Sequence, residues 1–267
     1  MLPDIKILQG MIRDVANEEI LPRFNKIGYQ LKNDGSLITE ADLMADKRIN
    51  DFLSKHYPDI AFMSEEMTEQ EQASLLKNNS AVWCLDPLDG TGNFAAGIPL
   101  FASSISLIVD GEVVLAVTYD VIRDEMFSAV KGQGAYLNDN RLLCKTPTQK
   151  INESIALVDF KRLPPEMALK ILADSPFRSQ RNLGSTVLEW VWMAANRGQI
   201  YLHGGMQLWD CAAGTLILDE AGGYASTLDG MSVTKVQLGR RSVVASPDRI
   251  LFKEWLNYLQ KMQVNCK

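Results

Sequence analysis

A layered fold that mixes helices and sheets (α/β, of the mixed α+β kind) is what the sequence predicts, and three observations carry it. Residues 102–143 alternate apolar and polar positions between turn dipeptides, as an antiparallel meander does. From residue 149 onward, short β-rich runs alternate with helical periodicity, which calls for helices packed in layers on a sheet. Before residue 58, apolar residues recur three and four apart, the spacing of amphipathic helices.

Taken in order, residues 4–20 form the first helix, with Ile5, Leu8, Ile12 and Val15 on one face. Residues 31–38 are a loop, or a hairpin around Asp34-Gly35. Thr39 caps a second helix that carries Leu43, Ile49, Phe52 and Leu53 on its apolar face and ends near Pro58. Asp42 falls at its third helical position, where a carboxylate either complements the helix dipole or stands behind an active site. A short strand over 60–63 runs into Ser64-Glu65-Glu66, and 67–80 holds a helix and an exposed connection. The apolar run 82–85 is a buried strand, and Pro87 keeps Asp86 extended, so that strand reaches its carboxylate. Asp86-Pro87-Leu88-Asp89 then reads as a turn, with a helix opening at Gly90-Thr91.

The meander follows as strands over 104–109, 113–119, 126–130 and 135–137, with Asp110-Gly111 as a turn and Gly132 and Gly134 as turn or bulge residues. The composition break at 144–154 joins two halves, about 1–148 and 149–267, of one domain. The second half holds strands at 155–158, 199–202 and 242–245 and helices at 164–173, 186–196, 211–220 and 248–262. The helix with Trp190 and Trp192 is core or part of a dimer face, and core is the default. Arg178 and Arg181 reach a second phosphate or lie on a solvated edge.

The chain has 267 residues, 46% of them hydrophobic and 22% charged, as ordinary globular proteins have. Its formal charge of -6 argues against a general binder of nucleic acid or anionic membrane, since both would be repelled. Cys84, Cys144, Cys211 and Cys266 are too scattered for a zinc site and read as reduced thiols of a cytosolic protein. Charged residues from Asp4 onward break any signal-peptide core, and Asp110 and Glu112 interrupt the longest apolar stretch. The expectation is a soluble, cytoplasmic protein.

Asp86 and Asp89 stand at the lip of a rigid strand, beside Gly90 and Thr91, whose amides open a helix. Carboxylates attract Mg²⁺, and amides with metal attract phosphate. Glu65 follows another strand in the same way, and Asp210, in Trp209-Asp210-Cys211-Ala212-Ala213-Gly214, opens a helix. A two-metal hydrolase needs several carboxylates converging from separate segments, so the combination points to phosphoryl hydrolysis where no single piece does.

Asp86-Pro87-Leu88-Asp89-Gly90-Thr91-Gly92-Asn93-Phe94, with Ser64-Glu65-Glu66 before it and Trp209 to Gly214 after it, resembles the inositol monophosphatase family, within the fructose-1,6-bisphosphatase-like phosphatases. Order, intervals and chain length match from end to end. The resemblance implies a five-layered αβαβα sandwich, a homodimer, and Mg²⁺-dependent, often lithium-sensitive hydrolysis of phosphomonoesters using two to three ions. It implies that Glu65, Asp86 and the Leu88 carbonyl hold one Mg²⁺, that Asp86, Asp89 and Asp210 hold a second, and that Glu65 helps hold a third bearing the nucleophilic water. Thr91, hydrogen-bonded to Asp42, would orient and deprotonate that water, and the Gly90 and Thr91 amides would bind the ester phosphate. Lys32 matches a family lysine near the metals. Gly184-Ser185-Thr186 matches a substrate-side turn, where Ser185 and Thr186 contact the leaving group or cap the next helix.

Two departures bear on the substrate. Inositol-specific members carry an acidic residue seven positions before the motif aspartate, where this chain has His203. Gly92-Asn93-Phe94 replaces the Lys-Glu-Phe usual in bisphosphate nucleotidases and favours the monophosphatase branch. Inositol 1-phosphate is the leading substrate, with a sugar bisphosphate, histidinol phosphate, a nucleotide 2′-phosphate or adenosine 3′,5′-bisphosphate as alternatives. A non-catalytic, metabolite-binding regulator would have lost metal carboxylates, and all four are present. Haloacid-dehalogenase spacing, a Gly-x-Ser-x-Gly elbow and a Walker loop are absent from the sequence.

Overall fold

A computed structural model describes residues 2–264 apart from 27, 33, 34, 36 and 145–149. In chain order the elements are α1 (Ile5–Val15), β1 (Tyr29–Leu31), β2 (Leu37–Thr39), α2 (Glu40–His56), β3 (Ala61–Ser64), α3 (Glu69–Asn78) and β4 (Ala81–Asp89). The short α4 (Thr91–Ala95) follows, then β5 (Ala102–Val109), β6 (Glu112–Asp120), β7 (Glu125–Val130), β8 (Gly134–Leu137) and β9 (Asn140–Leu142). The rest is β10 (Ile155–Asp159), α5 (Pro165–Asp174), β11 (Ser179–Arg181), α6 (Thr186–Ala194), β12 (Ile200–Met206), α7 (Leu208–Glu220), β13 (Tyr224–Ser226), β14 (Arg241–Ser246) and α8 (Arg249–Val264).

The strands from β3 to β9 make one seven-stranded sheet in sequence order, antiparallel except for β3 against β4. A second sheet has the order β11-β10-β12-β14-β13. Apolar burial stacks these into five layers. Leu8, Ile12, Ala45 and Ile49 of α1 and α2 pack on one face of the large sheet against Leu85, Leu107 and Val117. Its other face meets α6 and α7, which also cover Leu157, Tyr201 and Val243 of the small sheet. On the far side of that sheet, Met167 and Ile171 of α5 and Leu251 and Trp255 of α8 close the sandwich. The order is αβαβα, as the resemblance implies.

Several local expectations change. The first helix ends at Val15 and loosens into a wide turn over Ala16–Ile20 before Pro22. On α2 the buried stripe is Ala41, Ala45, Ile49 and Leu53, spaced four apart, and Leu43 falls off it at 52% exposure. β1 pairs antiparallel with β2, as a hairpin does, and the Asp34 of the expected turn lies outside the described residues.

The most informative change is at Asp86-Pro87-Leu88-Asp89, which stays in β4 instead of turning. The register against β5 slips between Asp86 and Asp89, so the segment is a bulge. Proline has no N–H to give to a ladder, and the bulge removes the need for one. Ser103 Oγ, 2.7 Å away, donates instead to the Pro87 carbonyl, and Leu88 is buried.

The edge strands β11 and β13 are too short to read from periodicity. Arg178 and Arg181 are exposed, the latter on β11 at the sheet edge, as the solvated-edge reading has it. Trp190 is fully buried; Trp192 is half-buried between the Arg123 and Arg197 guanidinium groups, 5.0 and 5.3 Å from its ring centre. Cys84, Cys144 and Cys211 are free thiols, and Cys266 lies outside the described residues. Among those residues no helix is long and apolar enough to cross a membrane.

Candidate active site

The bulge decides where the two motif carboxylates go. It leaves Asp86 fully inside the sandwich, at 1% exposure, and brings Asp89 round to α6. Asp210 comes from the opposite layer, at the third position of α7, where its Oδ2 accepts the Gln207 N–H at 2.7 Å in a capping box. Oxygens of Asp86, Asp89 and Asp210 all lie within 4.8 Å of one another.

Charge makes this arrangement costly in isolation. Burial, then repulsion from Glu65, Asp89 and Asp210, holds the Asp86 carboxyl well above the usual carboxylate range. Burial, then repulsion from Asp89 and Glu65, raises Asp210, and burial raises Asp89 to about 6. Among the described residues, neither oxygen of Asp86 has a hydrogen-bond partner. A buried carboxylate with nothing to accept from is rare, because its desolvation is uncompensated. An all-oxygen cage aimed at one point fits a hard divalent cation such as Mg²⁺.

Asp89 is held rather than loose. Its Oδ2 accepts from Ser185 Oγ at 2.6 Å and from the Val187 N–H at 2.8 Å, so it caps α6 from another layer of the fold. The Ser185 side chain, 1% exposed, therefore makes no capping bond to its own helix and is spent on Asp89. Gly90 has φ +91°, and a β-carbon there would stand 2.8 Å from the Leu100 carbonyl and 3.2 Å from Ser185 Cβ. Only glycine lets the loop close against that turn. A β-carbon on Gly184, at φ +68°, would stand 3.0 Å from the Asn93 side chain, and Asn93 Nδ2 donates to Leu100 and Leu183 carbonyls, both at 2.7 Å. Thr186 opens α6 beside Ser185.

At the other rim, Thr91 Oγ1 lies 3.0 Å from Asp42 Oδ1 and 3.1 Å from the Leu88 carbonyl, either of which accepts its proton. Asp42 Oδ2 accepts the Thr39 N–H at 2.8 Å, which completes the α2 cap. Burial outweighs these bonds and raises the Asp42 pKa.

Glu65 lies outside the group that converges within 4.8 Å. Its carboxylate takes the Lys32 ammonium at 3.1 Å, and Lys32 also reaches a Glu66 oxygen at 2.9 Å. Burial alone would lower the Lys32 pKa, but the two glutamates raise it. The hairpin thus lays a cation beside Glu65, whose charge is still felt at Asp86 and Asp89. His203 lies on β12, 4% exposed, with Nε2 3.6 Å from Asp159 Oδ2.

Two participants escaped the sequence reading. Asp46, one helical turn after Asp42, has a buried oxygen without a partner and faces the Lys32 charge; its spacing from Asp42 was the available signal. Glu189 is buried behind the 184–186 turn, where it accepts the Leu183 N–H at 2.8 Å and the Tyr201 hydroxyl at 3.0 Å. Nothing in its local sequence marks it.

Fold and site together define an α/β sandwich whose acidic centre joins the large sheet to α7. The inositol monophosphatase family model matches residues 3–263, and the chain belongs to that family. It is 35% identical over 228 residues to "Nus factor SuhB" of Haemophilus influenzae, covering 84% of this chain and 82% of that one. It is 34% identical over 214 residues to the inositol-1-monophosphatase of Mesorhizobium japonicum, with 75% of each covered. Among solved structures, Staphylococcal IMPase-II superposes with a TM-score of 0.79 at 27% identity, over 98% of this chain and 97% of that one.

Proposed function

We propose that this protein is a Mg²⁺-dependent hydrolase of small phosphomonoesters, inhibited by lithium, and that it works as a homodimer in the cytoplasm. The observation that supports it most directly is Asp86: a buried, unpartnered carboxylate within 4.8 Å of oxygens of two more. A cation there would offset the charge that burial otherwise leaves uncompensated.

Asp86, Asp89, Asp210, Glu65 and the Leu88 carbonyl are the ligands in this reading. Mg²⁺ bound there supplies positive charge that neutralises the ester's phosphate and lowers the pKa of a water. The Thr91 hydroxyl donates to Asp42, so its oxygen can take a proton from the attacking water as its own proton passes to the Asp42 carboxylate. The Gly90 and Thr91 amides receive the phosphate oxygens, and the glycine makes their close approach possible. Ser185 fixes the angle of Asp89, and Lys32 offsets the charge of Glu65 and Glu66. No covalent enzyme intermediate is required; positioning and charge neutralisation carry the reaction. Inositol 1-phosphate is the reference substrate because of the family, with the bisphosphates, a nucleotide 2′-phosphate and histidinol phosphate beside it.

A regulatory, non-catalytic role is the second reading, favoured by relatives that carry the name Nus factor. Phosphate release from these esters by the purified chain, with Mg²⁺ and with lithium added, separates the two. Turnover of any ester supports the hydrolase; silence on all of them by metal-loaded protein supports the regulator.

A further inference from the structure

Asp89 takes its bonds from Ser185 and Val187 at the start of α6, so its direction depends on where that turn sits. The Leu183 peptide, just before the turn, is gripped on both sides. Asn93 Nδ2 donates to its carbonyl at 2.7 Å, and Glu189 Oε1 accepts its N–H at 2.8 Å. Through a second bond, to the Leu100 carbonyl at 2.7 Å, Asn93 ties the peptide to the segment that enters β5. Glu189 ties it to the small sheet instead, where Oε2 accepts the Tyr201 hydroxyl at 3.0 Å. Tyr201 is a firm anchor: it is fully buried on β12, paired with Ala245 of β14, and its carbonyl accepts Trp255 Nε1 at 3.0 Å.

Ordinary helix capping does not account for Glu189. A carboxylate in the first turn of a helix complements the dipole from the surface, where it stays hydrated. A capping box reaches back only as far as the N-cap. Glu189 is 2% exposed and reaches past the Ser185 N-cap to Leu183. Burying a carboxyl there costs free energy that an apolar side chain would not. Burial lifts its pKa to about 8, with Asp89 and Asp159 pushing the same way, so at neutral pH the group is mostly an uncharged acid. What it contributes is then the direction of two hydrogen bonds rather than a charge.

We propose that Glu189 is a positioning residue for the metal centre: by holding the Leu183 N–H against the Tyr201 anchor, it sets the turn whose Ser185 hydroxyl and Val187 N–H aim the Asp89 carboxylate. This rests on the reading of Asp89 as a Mg²⁺ ligand and adds the group that keeps the ligand aimed. Support of this kind behind a metal ligand is commonly worth about tenfold or more in metal affinity or activity.

The test uses the full chain. Glu189→Met keeps the length of the side chain and removes both bonds, with Glu189→Leu in its place if the first does not fold. Glu189→Gln keeps an acceptor for the Leu183 N–H and turns its amide to the Tyr201 oxygen. Tyr201→Phe lowers stability but leaves the Leu183 bond. Mn²⁺ affinity is measured by calorimetry, kcat and KM on inositol 1-phosphate with Mg²⁺, and Val187 amide exchange by NMR without metal. Glu189→Met should weaken Mn²⁺ binding about tenfold and lower kcat about tenfold with little change in KM. It should also speed Val187 exchange about tenfold beyond the effect of Tyr201→Phe. Glu189→Gln should stay close to wild type in all of these, and Tyr201→Phe should lower Tm while keeping the Mn²⁺ affinity. Wild-type Mn²⁺ affinity and Val187 exchange in Glu189→Met overturn the proposal, as does an equal loss of affinity in Tyr201→Phe, which marks general loosening. If wild-type protein binds no Mn²⁺ while the contrast in Val187 exchange persists, the positioning of Asp89 stands and its reading as a metal ligand falls.

Discussion

Asp86→Asn separates a cation site from an ordinary buried polar residue, because the two predict opposite effects on stability. At 4.8 Å, and with an effective dielectric constant of about 20, one pair of carboxylates repels by about 3.5 kcal/mol. Partial protonation absorbs some of this, as the raised pKa values of Asp86, Asp89 and Asp210 show. Removing one charge should therefore stabilise the metal-free protein by about 2 kcal/mol, since Asp86 makes no hydrogen bond that asparagine would lose. In a chain of this size that raises Tm by roughly 4–8 °C. Wild-type protein at a hundredfold excess of Mg²⁺ over Kd should gain about 2.7 kcal/mol, and the variant should gain almost none of it. Differential scanning calorimetry in EDTA and in Mg²⁺ reads both numbers, and kcat should fall at least about a hundredfold. A variant that is less stable than wild type in EDTA, yet keeps the full Mg²⁺ shift, would refute the reasoning.

Gly90→Ala forces a β-carbon into a left-handed position 2.8 Å from the Leu100 carbonyl, so it should cost about 2 kcal/mol by urea unfolding and lower kcat. Ser185→Ala removes one hydrogen-bond donor from Asp89; kcat should drop about tenfold with far-UV circular dichroism unchanged. Glu189 has its pKa raised by burial from 4.5 to about 8, so the folded state holds its proton more tightly than the unfolded one. Its contribution to stability is complete below about pH 4.5 and is lost as pH rises through about 8, at up to about 1.4 kcal/mol per unit. Glu189→Gln should flatten that slope in unfolding curves taken between those limits; an unchanged slope would remove Glu189 as its source.

What the sequence disclosed follows from how local each signal is. Leu8, Ile12 and Val15 on α1, and Ile49 and Leu53 on α2, come from spacing within one element, and both helices form. The meander is equally local, because turn dipeptides and period-two runs lie next to one another. At Asp86–Asp89 the turn prediction failed because Pro87 has a turn preference that the sheet overrides; Ser103, from the neighbouring strand, supplies the partner. Asp86, Asp89 and Asp210, which converge, were legible from two motifs, whereas Glu65 of the third lies outside that group. Their supports were not: Ser185 on Asp89 joins residues 96 apart, and Lys32 on Glu65 joins residues 33 apart. Glu189 is likewise defined only by tertiary neighbours.

The most direct test of the central claim is a crystal structure of the full chain grown with Mn²⁺ in place of Mg²⁺, with the ion located by its anomalous signal. Carboxylates of Asp86, Asp89 and Asp210 should meet at one peak, about 2.0–2.3 Å from each bound oxygen. Mn²⁺ found only elsewhere, with Asp86 still unpartnered at saturating metal, would contradict it.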